Sequence, residues 1–277
     1  ATGSAGTTVK WYTSPLGGVP IGTRSPFTTP VINATTSYYA AAEVIVTGPG
    51  AATVGTGTTS SNSSDLSPFC TTWEDGKHQL LYLATELFSA GLQAGDINSI
   101  ALNVASIGSP AMTTFKVLIG QTAVSTLTST YEAGLTEVYS SASYTPPSTG
   151  WVTFPFTAPF AWDGTSNLLV QICYGNNTSY SSTSSVFYSV TTSNLHHYGY
   201  QDNGTGCAMT TPTYNGVNLN RANMQFGGTV ATICSSDRME VVATINTPPA
   251  LTLTAGATVC ANEVYQLSVT SNVPDYD

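Results

Sequence analysis

The chain has 277 residues, with 6 Lys plus Arg against 15 Asp plus Glu. Charged residues make up 8% of it, against roughly 25% in an ordinary soluble domain. The net charge of −9 excludes nucleic acid and anionic membrane surfaces as partners, because both require a basic protein surface. No apolar run approaches the roughly 18 residues of a membrane-spanning helix, so we expect no membrane insertion.

Alternating apolar and polar residues predict antiparallel strands along most of the chain, and helix signals are almost absent. The clearest run places Val152, Phe154 and Phe156 on one face of a strand. A short helix is expected between Thr85 and Ala94. The predicted strands after the first 60 residues are 79–84, 100–104, 115–119, 136–140, 152–156, 167–174, 186–191, 222–226, 239–246 and 264–270. Many strands at short spacing predict an all-β sandwich or jelly roll.

The composition changes at two places along the chain. Residues 48–64 are mostly Gly, Thr and Ser, which is typical of a linker. Residues 246–250 contain two adjacent prolines and predict a short stiff break. The body between them, about 65–230, has enough strands for one jelly-roll-type sandwich, whereas the first 47 residues have enough for only half a sandwich.

Cysteine usage and composition indicate an extracytoplasmic protein. Ser and Thr account for 76 residues, and the five cysteines are spread out with no C-x-x-C pair. Scattered cysteines in such a chain indicate disulfides rather than zinc or thioredoxin-like chemistry. Because the number is odd, either one thiol is free or some partners lie outside this chain. The start at Ala1 without Met and the end just after a strand-like run lead us to expect a segment of a longer secreted chain.

Three motifs near the start resemble a known repeat. They are Trp-Tyr-Thr-Ser-Pro-Leu-Gly-Gly-Val-Pro-Ile-Gly-Thr at 11–23, Phe-Thr-Thr-Pro at 27–30 and Thr-Thr-Ser-Tyr-Tyr at 35–39. Together they resemble the Ig-like repeat of large Bacteroidota cell-surface proteins, which are exported by the type IX secretion system and include gliding-motility adhesins. In that family a Cys-led final strand follows the Tyr-Tyr strand closely. Here the nearest match, Cys-Ser-Ser-Asp-Arg-Met-Glu-Val-Val-Ala-Thr at 234–244, comes about 190 residues later.

That departure predicts an insertion, because loop tips tolerate inserted domains. We expect part of an Ig-like domain at 1–47, a jelly-roll-type sandwich at 48–232, the final Ig-like strand at 233–247 and the start of another Ig-like module at 248–277. Plain tandem order is the alternative. The middle body also resembles a module of those proteins, most distinctively through Trp-Asp-Gly-Thr-Ser-Asn-Leu-Leu at 162–169.

The resemblance also bears on the cysteines. It implies that Cys234 pairs with a residue before this segment and Cys260 with one after it. Inside the body, Cys173 with Cys207 is the preferred disulfide and would leave Cys70 unpaired. The pair Cys70 with Cys207 stays open, since sequence does not fix connectivity.

Motifs for catalysis are missing from the sequence. There is no H-E-x-x-H and no G-x-S-x-G. His196 and His197 are adjacent, so on a strand they face opposite sides and do not share a metal; we expect a surface or structural role for them and a capped or solvated side chain for His78. Glu74-Asp75-Gly76 is interpreted as a turn. We predict no enzymatic activity.

The sequence offers candidate residues for two kinds of ligand, calcium and a glycan. Asp163 with Asn167, or Asp202 with Asn203, could supply part of a calcium shell, with turn chemistry as the alternative. No other cofactor is predicted. Glycan contact is predicted at aromatic and amide residues in loop-like surroundings, with Tyr214 close by, whereas Trp151 and Trp162 flank apolar strands and are interpreted as core. The glycan candidates are Trp73, Tyr198, Tyr200 and Asn203.

These observations favour a non-enzymatic segment of a long extracellular bacterial surface adhesin or filament. Ig-like modules would act as spacers and the jelly roll as a display or contact module. The expected partners are neighbouring Ig-like modules, in the same chain or in neighbouring subunits, and surface polysaccharide. The alternative is a carbohydrate-binding, lectin-like module of a secreted multidomain protein, which is an analogy at the level of the fold.

Overall fold

A computed structural model describes residues 1–108, 111–178 and 183–246, together with the backbone of 251–253 and 269–271. Within these residues the protein is all-β, with one short α-helix, α1 (Ala84–Ser89), and one 3-10 turn, Gly206–Ala208. The strands are β1 Thr8–Tyr12, β2 Gly22–Thr23, β3 Thr36–Val54, β4 Thr59–Ser61, β5 Asp75–Tyr82, β6 Gly95–Ser106, β7 Met112–Thr122, β8 Thr136–Tyr144, β9 Gly150–Trp162, β10 Asn167–Tyr174, β11 Ser185–Val190, β12 His196–Gln201, β13 Tyr214–Asn218, β14 Asn220–Ala222, β15 Met224–Ser235, β16 Met239–Ala243, β17 Leu251–Leu253 and β18 Val269–Ser271.

The chain divides into two compact units. The first comprises Ala1–Val44 and Ile233–Asp277, and the second comprises Ile45–Thr232. Strands β3 and β15 each contribute residues to both units. The predicted start of a further module, 248–277, lies almost wholly outside the described residues.

The first unit contains an antiparallel sheet in the order β16-β3-β1-β2. Trp11 lies opposite Ala40, and Ala40 lies opposite Met239. The core of this unit is small, with Val9, Trp11, Tyr38 and Ala40 buried. Phe27 packs on it, with its ring centroid 5.0 Å from that of Trp11. Strand β16 therefore completes the sheet that the first 44 residues begin.

The second unit is a sandwich of two antiparallel sheets. In sheet one, β6 pairs with β9 along one edge and with β15 and β11 along the other. Strand β11 also pairs with β4 and β14. Sheet two has the order β13-β12-β5-β10-β7-β8. Phe115 of sheet two and Phe154 of sheet one stack with ring centroids 5.6 Å apart, so the main core lies between the sheets. Each such buried ring stabilises the fold by about 1.5–3 kcal/mol.

A second, smaller core covers the outer face of sheet two. Leu81 of β5 and Leu169 of β10 pack there with Leu127 and Leu195. The backbone N–H of Leu127 donates to the carbonyl of Asn194 at 2.7 Å, which holds the 123–135 connection against the sheet. Sheet two is thus buried on both faces over β5 and β10, which explains why β5 is buried at every position.

The polar interior of the second unit is organised around Arg221. Its guanidinium donates two hydrogen bonds of 2.8 Å to Glu86 and also donates to the carbonyl of Leu81. The same Glu86 accepts from the N–H of Leu83 at the start of α1. Because a buried charge requires a partner, this ion pair fixes the short helix to β14.

The sequence-based expectations hold for most of the predicted strands that fall on described residues but are wrong at several polar positions; the predicted strand 264–270 lies almost wholly outside those residues. Residues 48–64 are not a linker, since β3 continues to Val54 and β4 occupies Thr59–Ser61. Small residues there still alternate, with Ala52 and Val54 buried, and composition alone does not reveal backbone pairing. The expected turn at Glu74-Asp75-Gly76 is instead the entry to β5, with Asp75 buried.

Candidate functional site

Three of the predicted glycan contacts gather in one aromatic cluster, the Trp73 cluster, which comprises Trp73, Tyr198, Tyr200 and Tyr214. The ring centroid of Trp73 lies 5.3 Å from that of Tyr200 and 4.6 Å from that of Tyr214. Tyr200 stacks on Tyr214 at 5.2 Å and on Tyr198 at 5.9 Å. The tyrosines meet because Tyr200 pairs directly with Tyr214 across β12 and β13, and Tyr198 is two residues along the same face.

The loop 202–207 beside this cluster is held by two carboxylates, of which Asp75 is buried, and by a disulfide. Asp75 accepts hydrogen bonds of 2.7 Å from the N–H groups of both Gly204 and Gly206. The backbone N–H of Asn203 donates to Glu74 at 2.8 Å. A disulfide joins Cys173 to Cys207 at the end of the loop. The predicted residue Asn203 is thus exposed on a fixed loop that starts where β12 ends.

Within the Trp73 cluster, Tyr200 has little free ring face. A sugar stacks on the face of an aromatic ring, because the ring's negative π-face attracts polarised C–H groups. In this cluster, the faces of Tyr200 are shared with Trp73, Tyr214 and Tyr198. The rings therefore stabilise one another by packing at the surface, and the contacts of Trp73 with Tyr200 and Tyr214 hold the segment around Trp73 against β12 and β13.

His78 and His196 form a buried pair, so the structural one of the two roles expected for His196 is confirmed, whereas the expectation of a capped or solvated His78 is wrong. The Nδ1 atom of His78 lies 2.9 Å from Nε2 of His196, and Nδ1 of His196 lies 3.0 Å from the carbonyl of Asn220. Since a carbonyl only accepts, His196 carries its proton on Nδ1 and accepts from His78 at Nε2. Burial lowers the pKa of His78 and lowers that of His196 to about 4. Both are therefore neutral structural groups.

His197 faces the opposite side of sheet two, as strand alternation predicts. Its ring centroid lies 4.1 Å from that of Tyr131, and its Nε2 lies 2.5 Å from Oδ1 of Asn215. Lys77 places its ammonium 4.1 Å from the Tyr131 ring centroid and donates to the carbonyl of Met209. Burial lowers the pKa of Lys77. In the described part of the chain, no carboxylate forms a hydrogen bond with the side chains of Lys77, Tyr131 or His197. These three side chains pack the 123–135 connection against the sheet.

The side chains of the calcium candidates accept hydrogen bonds from backbone N–H groups: Asp163 within its own turn, and Asn167 and Asp202 from other segments of the chain. Asp163 accepts from the N–H groups of Thr165 and Ser166 and from the Ser166 hydroxyl, and these bonds lower its pKa to about 2. Asn167 accepts from the N–H of Ala84 at 2.8 Å. Asp202 accepts from the N–H of Glu74 at 3.0 Å. The described residues contain no group of three or more His, Cys, Asp or Glu side chains placed to hold a metal ion.

The remaining cysteines lie in different surroundings. Cys70 is a free, buried thiol that contacts the hydroxyls of Ser64 and Thr72. Cys234 is free and exposed, and a partner for it outside this segment stays a prediction. Cys260 lies outside the described residues.

No helix in the described part of the chain is long and apolar enough to cross a membrane.

A cleft that sequence reasoning did not identify lies at Trp151, on the outer face of sheet one. Trp151 is 36% exposed, so its interpretation as core is wrong. It pairs with Asn103 across β9 and β6. The cleft beside it has a volume of about 320 Å³ and is also lined by Phe187, Asn223 and the 53–58 segment. The alternation that places Val152, Phe154 and Phe156 inward already required Trp151 to point outward.

Comparison with known proteins gives one match. A family model described as an Ig-like domain, CHU_C associated, matches residues 1–58. No curated protein and no solved structure matches the chain. An Ig-like domain together with a disulfide is consistent with an extracellular location and indicates a module of an extracellular surface protein.

Proposed function

We propose that this chain is a non-enzymatic segment of a long extracellular bacterial surface adhesin or filament, in which the second unit is a display module inserted in an Ig-like spacer. The observation that carries the proposal is the pairing of β16 with β3, with Met239 opposite Ala40 and Val241 opposite Tyr38. The paired segments, 36–40 of β3 and 239–243 of β16, both belong to the first unit, and the second unit, residues 45–232, lies between them in the sequence. The match to an Ig-like domain at residues 1–58 supports the spacer role.

Further contacts at the same place support the insertion. The hydroxyl of Ser236 accepts from the N–H of Ala42 at 3.0 Å, and the N–H of Ser236 donates to the carbonyl of Ala42 at 2.9 Å. Chain segments that leave and re-enter a domain at neighbouring points accommodate an insert without disturbing its sheet. An insert held in this way presents its surface to other molecules while the spacer keeps its own fold.

The test removes the insert and keeps the spacer. In the full-length protein of the cells that make it, residues 45–232 are replaced by a short Gly-Ser linker between Val44 and Ile233. We expect an antibody against the remaining Ig-like part to label intact cells as before, and attachment of these cells to polysaccharide-coated surfaces to fall several-fold. Unchanged attachment with normal labelling would contradict the display role, and so would release of reducing sugars by the purified chain.

A carbohydrate-binding role is the second candidate, and the cleft at Trp151 favours it. The exposed Trp151 indole offers a face for a sugar ring, and the Asn103 amide in the same cleft, which is unpaired within the described residues, offers hydrogen bonds to its hydroxyl groups. This role is compatible with the adhesin proposal, because an adhesin requires a ligand.

A further inference from the structure

Trp151 differs from the buried tryptophans in its indole N–H. The N–H of Trp11 donates to the carbonyl of Arg24 at 2.9 Å, and that of Trp162 donates to the carbonyl of Ser166 at 2.8 Å. Within the described residues, the indole N–H of Trp151 has no hydrogen-bond partner, and no aromatic ring is stacked on the indole. Its indole therefore has both a ring face and a donor available at the surface.

The amide of Asn103 is available in the same cleft. Asn103 lies directly opposite Trp151 in the register of β6 and β9, so the two side chains are neighbours on the outer face of sheet one. Its side chain makes no hydrogen bond to any residue that the structure describes. A carboxamide offers two donors and an acceptor, which suits a ligand that carries hydroxyl groups.

The opposite wall of the cleft is held in place by hydrogen bonds within the protein. Asn223 donates to the carbonyl of Gly57 at 2.7 Å and accepts from the hydroxyl of Ser189 at 2.7 Å. The same Ser189 oxygen accepts from the N–H groups of Thr56 and Gly57. A side chain at Gly57 would collide with the carbonyl of Tyr188, so the loop approaches β11 as closely as a backbone can. Because this wall is already fixed, little conformational entropy is lost there when a ligand binds.

The cleft is electrically neutral. Its lining consists of Thr, Gly, Asn, Trp and Phe residues, with no acid and no base among them. Its volume of about 320 Å³ is at the lower end of the range for small-ligand sites, roughly 300–1,000 Å³. A ligand for this site is small and uncharged, has one apolar face and carries hydroxyl groups at its edge.

We propose that the cleft between Trp151 and the 53–58 loop binds a neutral pyranose ring of a glycan. The C–H face of the sugar stacks on the Trp151 indole, and its hydroxyls pair with the Asn103 amide and the indole N–H. This inference deepens the proposed display function and rests on it for its biological role. It assigns the ligand to Trp151 rather than to the predicted Trp73 cluster, in which every ring packs against another ring of the cluster.

The test probes an array of neutral and acidic oligosaccharides with the 277-residue chain and titrates each positive glycan by calorimetry. The variants are Trp151→Ala and Asn103→Ala, with Trp73→Ala as the matched control, since Trp73 is also a partly exposed tryptophan in the same unit. Thermal unfolding confirms that each variant is folded, and Trp151→Phe is added as the conservative change. We expect a neutral glycan to bind, Trp151→Ala to weaken binding at least about tenfold, Trp151→Phe to retain part of it and Trp73→Ala to leave it unchanged.

Three results would overturn the inference: no neutral glycan binds, binding is lost in Trp73→Ala but kept in Trp151→Ala, or only acidic glycans bind. The failure of the site and the failure of the display role are distinguishable. If the insert is needed for attachment but no neutral glycan binds, the display role stands and the sugar site is wrong. If Trp151-dependent binding is found but removal of the insert leaves attachment unchanged, the site stands and the adhesive role is wrong.

Discussion

Trp73 and Trp151 are both partly exposed tryptophans of the second unit, but their surroundings are opposite. Trp73 lies in a cluster with three tyrosines, beside a loop that a disulfide and Asp75 hold in place. Trp151 lies beside a free amide and a glycine-rich wall, with no ring stacked on it in the described part of the chain. An aromatic side chain is available to a ligand only where neighbouring rings leave its face open and polar groups near it lack partners. The density of aromatic residues in a loop is therefore a poor guide to a binding site.

The largest effect is expected where the covalent support of the Trp73 region is removed. Replacing Cys173 and Cys207 by Ser opens a link between residues 34 apart in sequence. The loop-entropy estimate gives a loss of about 4 kcal/mol in the free energy of unfolding. Urea denaturation of both proteins measures this loss. A loss below about 1 kcal/mol would show that the loop is held without the disulfide.

Acid should destabilise the second unit through the buried histidine pair. Unfolded histidine has a pKa of 6.5, and burial lowers that of His196 to about 4. The unfolded chain therefore binds protons first, so stability is lost as the pH falls from 6.5 to 4 and is unaffected above that range. The difference for His196 corresponds to about 3 kcal/mol.

The groups near His196 include Asp65, His197 and Arg221 as well as His78. Urea denaturation at a series of pH values checks the prediction, and the window from pH 6.5 to 5 belongs to histidine because carboxylates titrate lower. Replacing both His78 and His196 by Gln should flatten this part of the profile. An equally steep profile in the double variant would place the acid sensitivity elsewhere.

The two tryptophans should also differ in their contribution to stability. Trp73→Ala removes ring contacts to Tyr200 and Tyr214 and should cost about 2 kcal/mol. Trp151→Ala removes a surface side chain and should cost less than about 0.5 kcal/mol. Thermal and urea unfolding of the two variants, compared with the parent chain, give both values. Equal losses would mean that Trp151 is as much a packing residue as Trp73.

A smaller and more local effect is expected at the wall of the Trp151 cleft. Gly57→Ala places a methyl group on the carbonyl of Tyr188, so the loop must move away from β11. We expect glycan binding to fall several-fold while the Trp73 cluster is unchanged. Gly48→Ala is the control, because a side chain there meets open space. Equal binding by the two variants would show that the loop position is unimportant for the cleft.

Strand alternation predicted most of this fold because apolar periodicity is a local property of the sequence. The strand 167–174 coincides with β10, and the short predicted helix contains most of α1. The pairing of His78 with His196 could not be predicted, since 118 residues separate them. The strand within 48–64 was missed because small residues pair through the backbone without an apolar signal.

The functional residues were harder to predict for a different reason. The sequence identified the aromatic residues near Trp73 but did not reveal that their rings would pack against one another. For Trp151 the information was present, since an inward Val152 places its neighbour outward, but adjacent apolar residues made a core position look reasonable. Exposure and unpaired polar groups depend on long-range pairing of strands, which one sequence does not specify.

The most direct test follows each tryptophan separately while the sugar is added. The chain contains 4 tryptophans, so 5-fluorotryptophan labelling gives four fluorine NMR signals that single substitutions assign. On titration with the neutral glycan identified on the array, we predict that the Trp151 signal shifts in proportion to occupancy and that the signals of Trp11, Trp73 and Trp162 stay in place. A shift of the Trp73 signal with Trp151 unmoved would contradict the account and place the ligand on the Trp73 cluster.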